Sequence, residues 1–301
     1  MRLPFAVAFL AIWSAELRAV PVVPGLHGNH PLNEAQVGRV LLGELGCLSC
    51  HQDKDAGGLV GKVAPDLSEV GGRVSPDYLR RFIAEPTKVQ PGVTMPDLLA
   101  GKTATERAAM ANAITHFLVG KADGRFAEGN YVKGDPDADR SLYHEIGCIA
   151  CHNPRDEQGK ELPSSGLLSL AHVQQKYGQA SLADFLFRPH KARPSGRMPD
   201  FKLSRRESQD LSAYLTGSNV QPSKSLPVNK GLALKGRQYF RQFNCLACHS
   251  LKGEPMAKPS TPLIKLRAGE GCLSKNPKGV PDYDLSDMQR KAITQALAKP
   301  G

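Results

Sequence analysis

One short pattern occurs three times in this chain of 301 residues. It reads Cys47-Leu48-Ser49-Cys50-His51, then Cys148-Ile149-Ala150-Cys151-His152, then Cys245-Leu246-Ala247-Cys248-His249. The copies recur at an interval of about 100 residues, and an internal period of that kind constrains a fold before anything else does. They use six of the seven cysteines and leave Cys272 over. The period predicts one unit repeated three times, each too small to bury a large core by itself.

Cys-x-x-Cys-His is the attachment motif of c-type haem. Two thiols add across the two vinyl groups of one haem, and two intervening residues let one turn of backbone reach both. The adjacent histidine then sits under the iron as proximal ligand. Other chemistries fit the pattern poorly. A zinc site takes two Cys pairs, or one Cys pair and one His pair, per metal, and three Cys pairs with one His each do not divide that way. A thioredoxin-type site needs one reactive pair at a helix start. A structural disulfide between cysteines three apart would leave the histidines without a role. The reading is three covalent haems, with Cys47, Cys50, His51, Cys148, Cys151, His152, Cys245, Cys248 and His249 as the cofactor-binding residues and iron the metal.

The N-terminus predicts an export signal over 1–19. Arg2 gives a positive start, Leu3 to Trp13 is apolar, and Leu17-Arg18-Ala19 places a small residue before a cut. Removal would take away the single tryptophan. It would lower the net charge from +10 to +9, because Arg2, Glu16 and Arg18 leave. Export to the periplasm or beyond the cell follows as an expectation. No apolar run reaches the roughly 18 residues of a membrane helix, so no transmembrane segment is expected. The positive charge is spread along the chain. It fits a solvated surface or redox partner proteins with acidic docking faces, and nucleic acid is not an expected partner.

The repeat extends beyond the motif. An amphipathic stretch precedes each first cysteine: Gln36–Leu45, Asp137–Ile146 and Leu234–Phe243. Gly38, Asp139 and Gly236 lie nine residues before it, and Leu42, Tyr143 and Phe240 five before it, as helix-packing positions. Proline loops follow at Ala64-Pro65-Asp66-Leu67 and Thr261-Pro262-Leu263, with Gly166-Leu167 in the second unit. A helix is expected from Ser75-Pro76 to Glu85, and a second copy from Ser181 to Arg188. Next come two loops, Pro91 to Asp97 around Met95 and Pro194 to Phe201 around Met198, each methionine followed by proline. Capping boxes at Thr103/Glu106, Ser204/Glu207 and Ser286/Gln289 open the closing helices. Residues 120–136 and 217–230 read as linkers.

These features together resemble class I c-type cytochrome domains in tandem, as in multihaem bacterial cytochromes c. The resemblance covers nearly all of 34–299 and implies a mostly α fold: three small helical domains joined by short linkers, each wrapped around one covalent haem. The expected domains are 34–121, 135–217 and an abbreviated 231–299. It also implies Met95 and Met198 as sixth ligands of the first two irons, His172 and His190 being the competing candidates in the second unit. The third unit departs from the pattern. It lacks the middle helix, and alignment puts Val280 where methionine belongs. Cys272 is then the candidate sixth ligand of the third iron, against a five-coordinate iron, Met256 or Met288. The implied function is electron transfer between redox partners, without catalytic residues. The alternative is a peroxidase-like haem enzyme with an open or unusually ligated third haem.

Overall fold

A computed structural model describes residues 20–26, 29–51, 58–123, 132–138, 140–164, 166–217, 226–257 and 260–298. The expected signal over 1–19, Asp139, and the linker stretches 124–131 and 218–225 lie outside them. The fold is mostly helical, and the β structure among the described residues consists of isolated bridges. No described helix is long and apolar enough to cross a membrane.

The longer helices are α1 (Glu34–Glu44), α2 (Pro76–Ala84), α3 (Ala104–Val119), α4 (Arg140–Glu145), α5 (Gln179–Phe187), α6 (Arg205–Thr216), α7 (Lys230–Gln242) and α8 (Asp287–Ala298). Local chemistry sets their starts. Asn33 caps α1 through a capping box with Gln36. The three boxes read from the sequence are formed: Thr103 with Glu106, Ser204 with Glu207, and Ser286 with Gln289. Each satisfies amide donors that the first helical turn leaves open. Pro76 stands in the first turn of α2, where a missing N–H costs nothing. The expected start of α5 at Ser181 shifts. Gly178 is its N-cap, and Ser181 is buried inside the first turn with its hydroxyl donating to the Gly178 carbonyl. In the third unit, two short 3₁₀ turns, Leu263–Lys265 and Gly271–Leu273, stand in place of a middle helix.

Helix pairing cuts across the order of the repeats. In the second unit α6 packs on both α4 and α5, with the Tyr143 and Tyr214 rings 5.7 Å apart. The first and third units do not follow suit. Their N-terminal and C-terminal helices pair crosswise, α1 on α8 and α7 on α3. Both crossings are closed by glycine. A Cβ at Gly38 would lie 2.0 Å from the Ala292 carbonyl oxygen, and one at Gly236 would lie 2.0 Å from that of Ala113.

Two apolar cores result. One joins Leu41, Leu42 and Leu45 of the first repeat to Leu263, Tyr283, Ile293 and Ala296 of the third. The other joins Val70, Leu79, Ile114 and Phe117 to Phe240, Leu246 and Leu251, and continues into the second unit through Tyr143, Leu182 and Leu211. The Phe117 and Phe240 rings lie 5.4 Å apart at its centre. Polar contacts follow the same crossed pattern. Lys291 on α8 pairs with Glu34 on α1 at 2.6 Å. Glu254 has a fully buried side chain and binds Arg237, Arg241 and Lys121 at 2.7, 2.9 and 3.7 Å.

Two outcomes follow from this packing. Gly38→Ala and Gly236→Ala should each destabilise the protein by about 1–3 kcal/mol in denaturant unfolding, because the helices must move apart. Gly178→Ala, where nothing lies within 4 Å of the added carbon, should cost under ~1 kcal/mol. The second outcome concerns pH. The surrounding guanidinium groups hold the Glu254 carboxyl below its ordinary 4.5 against the cost of burial. Its stabilisation is therefore complete above the unfolded value and is lost as pH falls through the lower folded one. Glu254→Gln should cost about 2 kcal/mol at neutral pH, and the difference from wild type should vanish in acid.

Candidate functional site

Each Cys-x-x-Cys-His segment follows a helix through one left-handed residue: Gly46 (φ 69°), Gly147 (φ 97°) and Asn244 (φ 54°). Glycine and asparagine tolerate that conformation best. One tight helical turn follows, closed when the histidine N–H donates to the first cysteine's carbonyl. These bonds are 2.9 Å in His51–Cys47 and 3.0 Å in both His152–Cys148 and His249–Cys245. Sequence reasoning passed over Gly46, Gly147 and Asn244, although the residue just before each motif carried the signal.

The histidines of all three motifs are oriented in the same way. His51 Nδ1 lies 2.7 Å from the Thr261 carbonyl, His152 Nδ1 3.3 Å from that of Leu168, and His249 Nδ1 2.8 Å from that of Pro65. A carbonyl only accepts, so Nδ1 donates and the lone pair of the neutral ring is left on Nε2. That is the arrangement of a metal-ligating histidine. Burial lowers the pKa of His152 and of His249, which favours the neutral form.

The first cysteine of each motif is shifted away from thiolate character. Burial pushes Cys47 and Cys245 up to about 12 and raises Cys148 as well. A reactive Cys-x-x-Cys needs the opposite shift. Among the described residues no three His, Cys, Asp or Glu side chains converge on a metal position, so a zinc-type donor set is not assembled. Cys50 and Cys248, the second cysteines of two motifs, lie within hydrogen-bonding reach of each other; their contact holds Cys248 down and Cys50 up.

The distal candidates separate by environment. Met198 is half-buried against the core that contains Cys148, and its backbone carbonyl accepts from His190 Nε2 at 3.0 Å. His190 thus braces the methionine loop. His172 lies against Tyr78 with ring centroids 6.2 Å apart, and burial beside Lys176 drives it to about 3. Met95 is half-buried in a loop tied at both ends, where Val22 N–H donates to Gly92 at 2.9 Å and Asp97 bridges Asp282. Met256 and Met288 are 70% and 79% exposed, which takes both away from any buried iron. Cys272 packs against the same core as Cys47 and lies within electrostatic reach of it.

A cationic cluster lies between the first and second units. There Val74 bridges Tyr177, and Ser75 N–H donates to the Lys176 carbonyl at 2.9 Å. Lys176 is 7% exposed, with its ammonium 5.3 Å from the Tyr78 ring centre and 5.2 Å from that of Tyr177. Arg73 and Arg193 share the neighbourhood, and Arg193 donates to the Tyr177 hydroxyl at 3.5 Å. Among the described residues none of these three cations has a carboxylate in ion-pair contact. Together they lower the Tyr177 hydroxyl to about 8, and Asp66 and Asp184 act on Arg73 from a greater distance. Elsewhere, a surface cleft of about 400 Å³ beside Lys275, Ser286 and Arg290 contains no motif residue.

No family model, no curated protein and no solved structure matches this chain.

The buried cluster generates a test on the haem-free chain. Burial lowers Lys176 to about 8, so between that pH and its ordinary 10.5 the unfolded chain binds more protons. Stability contributed by this group therefore rises with pH across that window. Lys176→Met should stabilise the haem-free chain by about 1–2 kcal/mol at pH 7 in urea unfolding, and should remove part of the alkaline rise.

Proposed function

We propose that this chain is an exported trihaem c-type cytochrome that passes electrons between redox partner proteins. The observation that carries the reading is the histidine orientation: at each motif the Nδ1 proton goes to a backbone carbonyl and Nε2 is left free. The donor set fits haem. Each motif offers two thiols and one imidazole on a single turn, and two loops offer a thioether for the opposite side.

Bound there, haem supplies an iron that changes between ferric and ferrous states. The protein's part is attachment, orientation and control of the surroundings. Cys148 and Cys151 would hold one haem covalently, His152 would offer its Nε2 to the iron, and Met198, in a loop braced by His190, would offer a thioether. Thioether ligation raises a haem potential relative to imidazole. The apolar cores exclude water from the haem faces. Arg73, Lys176 and Arg193 offer positive charge to haem propionates, which are the anions this chemistry brings. An iron held by both a histidine and a methionine would have no position left for a substrate, as suits a carrier. A haem enzyme stays as a second reading on one observation: the loop at Val280 supplies no methionine, so one of the three irons has a different distal side.

The holoprotein should exceed its apo mass by three haems. Replacing Cys148 and Cys151 together should remove one of them, and a mass showing no haem sinks the proposal. Met198→Ala should turn one low-spin ferric EPR signal high-spin or open it to imidazole. It should also lower that centre's potential, within the roughly 0.8 V that axial ligation spans. An unchanged spectrum and potential would assign that iron to another ligand. Peroxide consumption by purified holoprotein would favour the enzyme.

A further inference from the structure

We infer that the first and third haem sites are interlocked. Residues 260–298 enclose the haem on Cys47, Cys50 and His51, residues 64–119 enclose the haem on Cys245, Cys248 and His249, and Met95 serves the iron under His249. This deepens the cytochrome reading and rests on it for the cofactor, although the exchange of chain segments stands on protein contacts alone.

The path of the chain gives the first argument. Lys62 still belongs with the first motif: its N–H donates to the Gly43 carbonyl at 3.0 Å and its ammonium pairs with Glu44 at 2.9 Å. Three residues on, the Pro65 carbonyl accepts from His249. Leu67 N–H donates to Ser250, the Ser250 hydroxyl to Asp66, and Lys252 N–H to the Ser68 hydroxyl. The third repeat crosses over in the opposite sense. Ala257 N–H still reaches the Leu246 carbonyl, while Ser260 N–H donates to Cys50 at 2.7 Å and the Thr261 carbonyl accepts from His51. Each proximal histidine is thus oriented by the other repeat's loop.

The second unit supplies the rule for the distal side. There the methionine loop runs directly into α6, α6 packs on the helix that leads into the motif, and Met198 lies on the core holding Cys148. A loop therefore serves the motif whose leading helix packs on the helix that the loop enters. Met95 lies in the loop that enters α3. Since α3 packs on α7, and α7 leads into Cys245, Met95 falls to the iron under His249. The Val280 loop enters α8, which packs on α1, so the iron under His51 is the one without methionine. Cys272 and the buried Tyr283 lie on that side, in the core with Cys47. The corresponding segments Met95-Pro96-Asp97 and Val280-Pro281-Asp282 meet at the seam, where Asp97 and Asp282 exchange two backbone bonds of 2.7 and 3.0 Å. Cys50 and Cys248 lie in side-chain contact across the same seam, so groups attached at these two thiols would be neighbours.

Two readouts test the assignment. Zero-length carbodiimide cross-linking of the holoprotein, with the monomer isolated by gel filtration, should join Glu34 to Lys291, and Glu34→Gln should remove the product. Absence of the product, or its confinement to a dimer, overturns the exchange within one chain, whatever the haem content. For the ligand, Met95→Ala should change one ferric low-spin signal in the wild-type background and in Cys47→Ala/Cys50→Ala. It should change none in Cys245→Ala/Cys248→Ala. If the effect instead persists without Cys245 and Cys248, or disappears without Cys47 and Cys50, Met95 belongs to the first haem and the assignment fails. A protein that carries no haem but forms the cross-link would defeat the cytochrome reading and leave the segment exchange standing.

Discussion

Two helix crossings set the layout of the chain. At Gly38 against Ala292, and again at Gly236 against Ala113, backbones approach so closely that a single methyl group does not fit. Such an approach brings flanking side chains into full contact, and Leu41, Ile293 and Phe240 are all but completely buried there. Glycine in a helix costs up to about 1 kcal/mol, and the close packing offsets it. Because each crossing joins one end of the first repeat to one end of the third, the loops between the helices must cross too. The exchanged histidine partners and the Asp97–Asp282 bridge follow from that.

The electrostatics of the interior point the same way as the histidine geometry. Buried thiols shifted upward and buried imidazoles shifted downward record desolvation, which favours the neutral form of each group. Buried carboxylates are held by basic partners, Glu254 by three at the α3–α7 crossing and Asp210 by Arg206. A bound haem would bring an apolar face to each small unit and two carboxylates to the cation cluster. The cation cluster lies where the second unit meets the second half of the first. A haem beside it would sit near the joint between units, which suits passage of electrons along one chain.

Much of this was legible in the sequence because it depends on neighbours in the chain. The capping boxes at Thr103, Ser204 and Ser286, the proline start of α2 and the three motifs need only a few adjacent residues. The methionine loops and the missing middle helix of the third repeat were readable for the same reason. The shifted start of α5 shows where that kind of reading fails: Ser181 looks like a cap, but its position on α5 faces the core and Gly178 takes the cap instead. The left-handed residues before each motif were visible as Gly46, Gly147 and Asn244, and acquire meaning only once the turn is seen.

Sequence by itself determined the helical class and the threefold recurrence of the motif. Tertiary structure alone decided which half meets which half. The first and third repeats present nearly the same helix faces, with glycine nine residues before the cysteine in both, so periodicity cannot distinguish the direct pairing from the crossed one. The choice falls to contacts between residues far apart in the chain. Glu34 meets Lys291, Glu254 meets Lys121, and Thr261 and Pro65 each meet the other repeat's histidine. Such contacts are written in no local pattern, because their free energy exists only when both distant segments are already in place.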